Sequence, residues 1–359
     1  MRHFYYAALP LLAAVSIVVD TASICAWSQS EGTPPVVIQN LPIPNVMFRM
    51  AQVRAVRKDI VAASFYSLSA YTDDNAKFYG WTKYVVPRKG VIFGQRQTVF
   101  WLKVDPDAKT IDISIRGTNN LDDVLRDLQV GAIEDSRLAI PLHAGFQSIA
   151  VGVFNKLKSI LTSNQLNNYS FRLYGHSLGG AVAAVVSMYL YQQGSNVDLV
   201  VTFGAPRFTT NEGARKYQVL NLRTYRIVRC DDVVPFLPPP NFFGWKTGGY
   251  EANGNVLLLL KPPYFDYSMG IDIERDFVYQ LRTELTNNQN KEILAFGHRM
   301  PNYYSLVYEI SPQYVAFEGG KELVPVSYTL KSQNQLCPPQ LGMVHDNKSG
   351  TDQRNESKN

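Results

Sequence analysis

Gly175-His176-Ser177-Leu178-Gly179 sets a serine between two glycines in the pattern G-x-S-x-G. Such a serine can act as the nucleophile of an acyl transfer if a strand leads into it and a helix leads away, because its side chain must stand on a sharp turn. The pattern alone is weak: with glycine and serine each about 7% of residues, roughly one chain in ten of this length carries it by accident. The setting separates signal from accident. Phe171-Arg172-Leu173-Tyr174 reads as a strand, and Gly179-Gly180-Ala181-Val182-Ala183-Ala184 opens a helix with small residues, as close packing against strands requires. The helix start also brings N–H groups and a positive dipole end beside Ser177.

A hydroxyl is a weak nucleophile until a base takes its proton, a task that histidine suits near neutral pH. The chain has five histidines. His3 lies in an apolar N-terminal segment and His345 in a polar tail. His176 is inside the turn, where its side chain is expected to point away from Ser177. His143 and His298 remain. When a strand–turn–helix carries the serine, chain order runs serine, acid, histidine, which selects His298 in the loop Phe296-Gly297-His298-Arg299. The acid then lies between Ser177 and His298. Arg229-Cys230-Asp231-Asp232-Val233-Val234-Pro235 ends a strand and begins a loop, so a carboxylate there can hold the imidazole tautomer and stabilise the imidazolium. Asp231 and Asp232 are adjacent, and spacing does not choose between them. Asp198, Asp266, Asp272 and Asp276 sit at poorer places.

These groups need a rigid frame. Asn45 to Ala70 fits a helix in which Met47, Val53, Ile60, Ala63 and Phe65 share an apolar side. Trp81–Val86, Val91–Phe93 and Thr98–Val104 read as strands, and Thr110 to Arg116 alternates Ile111, Ile113, Ile115 as a strand does. From Phe171 onward strand and helix alternate: Phe171–Tyr174, helix Leu178–Gln192, strand Leu199–Phe203, helix Asn211–Gln218, strand Asn221–Val228. Val256–Leu260 is a further strand candidate, and Arg275–Thr286 and Tyr303–Ile310 are helix candidates. This alternation predicts an α/β fold with a mostly parallel central sheet and helices on both faces.

The chain of 359 residues is 46% hydrophobic and 18% charged, enough for one large domain. The net charge of +5 is mild and its basic residues are scattered, which gives no nucleic-acid footprint. Arg2 and His3 precede the apolar run Phe4 to Val19, and Ala26-Trp27-Ser28 resembles a cleavage site. Residues 1–28 therefore read as a signal peptide, with no stable membrane span in the mature chain and a secreted or extracytoplasmic location. Residues 29–46 read as a linker, 47–330 as the catalytic domain and 331–359 as a disordered tail. The three cysteines, Cys25, Cys230 and Cys337, lack metal-ligand spacing. Cys230, in an apolar strand-like run, reads as a buried free thiol; pairing with Cys337 would need their Cα atoms within about 7 Å.

Several of these stretches, in this order, resemble the class 3 (fungal-type) lipase family over about residues 47–315. Gly175 to Gly180 is similar to its G-H-S-L-G-G. Ile113-Ser114-Ile115-Arg116-Gly117-Thr118 is similar to its oxyanion-strand motif, with Ile115 in place of the usual Phe. Leu142-His143-Ala144-Gly145-Phe146 is similar to V-H-x-G-F, and Phe203-Gly204-Ala205-Pro206-Arg207 to F-G-x-P-R. Asp232-Val233-Val234-Pro235 with Leu237-Pro238-Pro239 is similar to D-x-V-P-x-L-P-P. His298 with Tyr303 approximates the terminal histidine and its following aromatic pair. Trp245 to Val256 matches loosely, and Tyr264 to Thr286 is an unfamiliar insert.

The resemblance implies an α/β-hydrolase fold and a triad of Ser177, Asp232 and His298, with Asp232 rather than Asp231 as the acid. It implies that Thr118 and Leu178 form the oxyanion hole, Leu178 through the N–H just after the nucleophile. It implies a lid at Asn119–Val130, where Leu121, Val124, Leu125 and Leu128 recur at helical spacing; an ordinary amphipathic surface helix has the same pattern. His143 then sits beside the site or the lid, and the apolar loop Phe236–Trp245 either walls an acyl site or simply packs. The implied activity is a lipase or carboxylesterase acting on acylglycerols or related esters at a lipid–water interface. A phospholipase, a feruloyl-type esterase or a non-catalytic lipid-binding protein are the other readings. No metal or organic cofactor is implied, and oligomeric state is not legible.

Overall fold

The computed structural model describes residues 43–72, 80–87, 97–118, 131–238, 249–259, 265–268, 297–309, 317–318 and 321–322. The expected signal peptide, polar tail, lid, Val91–Phe93 strand and Arg275–Thr286 helix lie outside them. In chain order the elements are α1 (Ile43–Ser69), β1 (Thr82–Pro87), β2 (Gln97–Asp105), β3 (Thr110–Ile115), β4 (Ala132–Asp135), β5 (Ile140–His143), α2 (Ala144–Ile160) and α3 (Ser163–Asn168). They continue with β6 (Ser170–His176), α4 (Leu178–Gln192), β7 (Asn196–Phe203), β8 (Thr209–Thr210), α5 (Asn211–Val219), β9 (Thr224–Arg229), β10 (Tyr250–Glu251), β11 (Asn255–Leu259), β12 (Phe265–Ser268) and α6 (Met300–Glu309). Phe317–Glu318 and Lys321–Glu322 form a small antiparallel pair.

Among the described residues the main sheet has eight strands, in the order β1-β2-β3-β6-β7-β9-β11-β12. β3, β6, β7, β9 and β11 run parallel, and antiparallel strands close both edges. The expected architecture is therefore present. Strands buried on both faces read as continuous apolar runs, and Leu199 to Val201 is such a run. Val200 faces α2 and α4, whereas Leu199, Val201 and Phe203 face α1 and α6. β6 divides likewise, with Phe171 and Leu173 on the first side and Tyr174 on the second.

α4 is buried from Leu178 through Leu190. A helix apolar all round belongs inside a core, and α4 lies between the sheet and α2. α2 was not among the expected elements. Its buried residues Phe146, Ala150, Val153, Phe154 and Leu157 nevertheless keep helical spacing. On the opposite face α1 buries Val53, Val56, Ile60 and Ala63. Phe65, expected on that stripe, is 41% exposed. Two residues past Ala63 is about 200° around a helix, so Phe65 cannot share its side. α1 also begins at Ile43, inside the expected linker.

A second, four-stranded sheet in the order β10-β8-β5-β4 flanks the main one. Cys230 is disulfide-bonded, which overturns the expected free thiol; its partner lies outside the described residues. Among the described residues no helix is long and apolar enough to cross a membrane.

Candidate active site

β6 ends and α4 begins at Ser177, whose φ of 59° and ψ of −134° lie where L-residues rarely go. Non-glycine strain of this kind persists only when surroundings enforce it. Here the Ser177 N–H donates to the Phe203 carbonyl at 2.8 Å, tying the turn to the end of β7. Gly179 lies against the end of β3 so closely that a Cβ there would collide with the Ile115 carbonyl oxygen. That approach accounts for the second glycine of the pentapeptide.

His298 enters from the loop before α6. Its Nε2 lies 2.8 Å from Ser177 Oγ, and its Nδ1 lies 2.9 Å and 3.1 Å from the Asp232 carboxylate oxygens. A carboxylate only accepts, so Nδ1 carries the proton and the bare Nε2 accepts from the serine hydroxyl. Ser177 and Asp232 are fully buried and His298 nearly so. The three residues come from three loops at the carboxyl ends of β6 and β9 and before α6.

Asp232 is surrounded by donors. Besides His298, Tyr303 Oη on α6 donates at 2.6 Å and the Val234 N–H at 2.9 Å. Burial would raise its pKa, but the facing His298 and these hydrogen bonds outweigh that and hold it below the usual carboxylate range. Tyr303 is pushed well above the usual phenol range, by burial first and then by the adjacent carboxylate. It remains a donor. Asp231 is turned elsewhere, accepting from Arg229 Nε at 2.8 Å and Nη2 at 2.6 Å. Asp198 bridges Arg172 and Arg223; Asp272 and Asp276 lie outside the described residues.

Leu178 opens α4, so its N–H is one of the helix-start donors left without an intrahelical acceptor. Thr118 follows β3 and is buried; its Oγ1 has no hydrogen-bond partner among the described residues. The loop carrying it lies against Ser177, since a Cβ on Gly117 would sit 3.1 Å from Ser177 Cβ. His143 is fully buried. It caps α2 by accepting the Phe146 N–H and stacks on the Phe146 ring.

Three residues close to this constellation escaped the sequence reading. Tyr303 was seen only as part of a motif, not as a donor to Asp232. Tyr71 Oη lies 2.6 Å from His176 Nδ1, and His176 Nε2 lies 2.7 Å from the His298 carbonyl oxygen. His176 thus reaches the backbone of His298. No local pattern signals these contacts, which join positions 71, 176, 232, 298 and 303.

Residues 113–242 match the family model "Lipase (class 3)". Over 142 residues the chain is 32% identical to a protein of Fusarium solani named secreted mono- and diacylglycerol lipase 1, covering 39% of this chain and 42% of that one. It is 28% identical over 151 residues to a lipase of Rhizopus niveus, covering 40% of this chain and 38% of that one. The chain thus spans about two-fifths of the length of these relatives. A solved lipase from Rhizopus microsporus var. chinensis superposes with a TM-score of 0.47 at 22% identity, covering 64% of this chain and 80% of the other. The matched segment carries the end of β3, the Ser177 turn and Asp232, and over it the chain is similar to the class 3 lipases.

Proposed function

We propose that this chain is a secreted serine ester hydrolase of lipase or carboxylesterase type, with Ser177 as nucleophile, His298 as base and Asp232 as its orienting acid. The observation that carries the reading is the unbroken line from Ser177 Oγ through His298 to Asp232, at 2.8 Å and 2.9 Å. His298 removes the serine proton as Oγ attacks the ester carbonyl. Asp232 stabilises the imidazolium that forms. The developing oxyanion is met by the N–H of Leu178 and by Thr118, whose hydroxyl has no hydrogen-bond partner among the described residues. Donors of this kind act strongly because they are aimed beforehand in a dry site. His298 then protonates the leaving alcohol, and water releases the acyl group by the same steps in reverse.

An acylglycerol or related carboxylic ester is the substrate class, supported by the activity for which the Fusarium relative is named. That relative's name also supports secretion, as does the N-terminal reading of residues 1–28. A fluorophosphonate probe tests the mechanism: it should label the wild type and not Ser177→Ala. Folded wild-type protein that takes up no label overturns the proposal.

A further inference from the structure

His176 takes no part in the proton path, yet both of its ring nitrogens are engaged. The His298 carbonyl only accepts, so the His176 Nε2 at 2.7 Å must carry a hydrogen. A neutral ring then leaves Nδ1 as an acceptor, filled by the Tyr71 hydroxyl at 2.6 Å. Tyr71 Oη in turn accepts the N–H of Gly117. A single line of hydrogen bonds therefore runs from the loop after β3, through the turn after α1, to the backbone of His298.

We propose that Tyr71 and His176 are positioning residues: they lock the oxyanion loop and the base to the nucleophile turn, and so set the Ser177–His298 geometry. The proposal rests on the hydrolase reading. Asp232 holds only one atom of the His298 ring, which leaves the ring free to tilt about that bond. Holding the carbonyl of the same residue removes that freedom. The holder is the residue immediately before Ser177, so base and nucleophile are referred to one rigid turn.

The relay also requires His176 to stay neutral. Its ring lies 4.8 Å from that of His298, and a second cation there would oppose the imidazolium formed during catalysis. Burial first, then the nearby His298, pushes His176 down to about 3. The other groups facing it are Tyr71, Asp232 and Tyr303. Asp232 works in the opposite direction and is outweighed.

The test compares Tyr71→Phe, His176→Gln and His176→Leu with wild type on a soluble p-nitrophenyl ester, alongside thermal melts. Tyr71→Phe removes one hydroxyl and should lower kcat about 10- to 100-fold with KM within about twofold, since small misplacements of reacting groups cost rates of that order. His176→Gln keeps an N–H donor for the His298 carbonyl and should recover most of the activity that His176→Leu loses. ¹⁵N NMR of the wild type should show His176 as the Nε2–H tautomer, without titration from pH 5 to 8. Folded Tyr71→Phe with wild-type kcat, a kcat for His176→Gln no better than for His176→Leu, or a His176 that titrates in that range each overturns the relay. If His176→Leu fails to fold, Tyr71→Phe and the NMR spectra still decide. Wild type without esterase activity removes the hydrolase reading and this proposal with it; active wild type with unaffected Tyr71→Phe removes the proposal alone.

Discussion

Asp231 and Asp232 are neighbours in the chain, but their carboxylates serve different partners. Asp231 forms a two-point pair with Arg229, and Asp232 faces His298, Tyr303 and the Val234 N–H. One residue of offset at the end of β9 sends one carboxylate to an ion pair and the other to His298.

The two aspartates should therefore fail in different ways. Asp232→Asn should lower kcat by roughly 10⁴-fold, as loss of the orienting carboxylate does in the serine protease example, with a modest change in melting temperature. Asp231→Asn strips a nearly buried guanidinium of its ion partner, which costs on the order of 3 kcal/mol. It should lower the melting temperature while kcat at low temperature stays near wild type. Kinetics and melts on the two variants check this, and a catalytic collapse in Asp231→Asn would reverse the assignment.

Thr118→Val should move activity and stability in opposite directions. The hydroxyl is buried and has no hydrogen-bond partner among the described residues. Replacing an unsatisfied buried hydroxyl by a methyl of similar shape is neutral or stabilising. Loss of an oxyanion donor costs about 10²–10³-fold in kcat. A variant that melts at or above the wild-type temperature but keeps full kcat would exclude the hydroxyl as a donor.

Gly204 is a second position where one methyl should reach the triad. Its φ is +56°, and a Cβ there would lie 2.7 Å from Asp232 Oδ2 and 3.3 Å from His298 Cε1. Gly204→Ala should depress kcat by more than tenfold through displacement of both groups, a shift well under 1 Å being enough at this sensitivity. A crystal structure of the variant with an unmoved His298, or unchanged kcat, contradicts this.

Acid should destabilise the fold in two steps. His176 has a folded pKa lowered to about 3, so below about pH 6.5 the unfolded chain binds a proton that the folded one refuses. Stability is fully present above about pH 6.5 and falls as pH drops toward 3, at up to about 1.4 kcal/mol per pH unit. Asp232 is also depressed, and its contribution is present above the unfolded carboxylate pKa near ~4 and lost below it. Between pH 6.5 and 5 the histidine step stands apart from the carboxylates. Melts across that window should slope in wild type and flatten in His176→Gln; equal slopes would assign the effect elsewhere.

Much of this protein was fixed locally. The turn around Ser177 follows from a short apolar strand, two glycines and a helix of small residues, all within one stretch. The parallel sheet follows from the alternation of fully apolar runs with helical periods. Phe65 leaves the apolar stripe because two residues past Ala63 carry it about 200° around the helix. Cys230 was misread because a disulfide depends on a partner distant in sequence.

Chain order and chemistry could nominate Ser177, His298 and a pair of adjacent acids, since each sits at the end of its own element. They could not choose between Asp231 and Asp232 without the family's pattern, because both carboxylates leave the same strand end. That choice depends on where Arg229 and Tyr303 stand after the sheet and α6 pack together. The same is true of Tyr71, His176 and the His298 carbonyl. Their hydrogen bonds join elements more than a hundred residues apart, and only packing α1 and α6 against one sheet face brings them within reach.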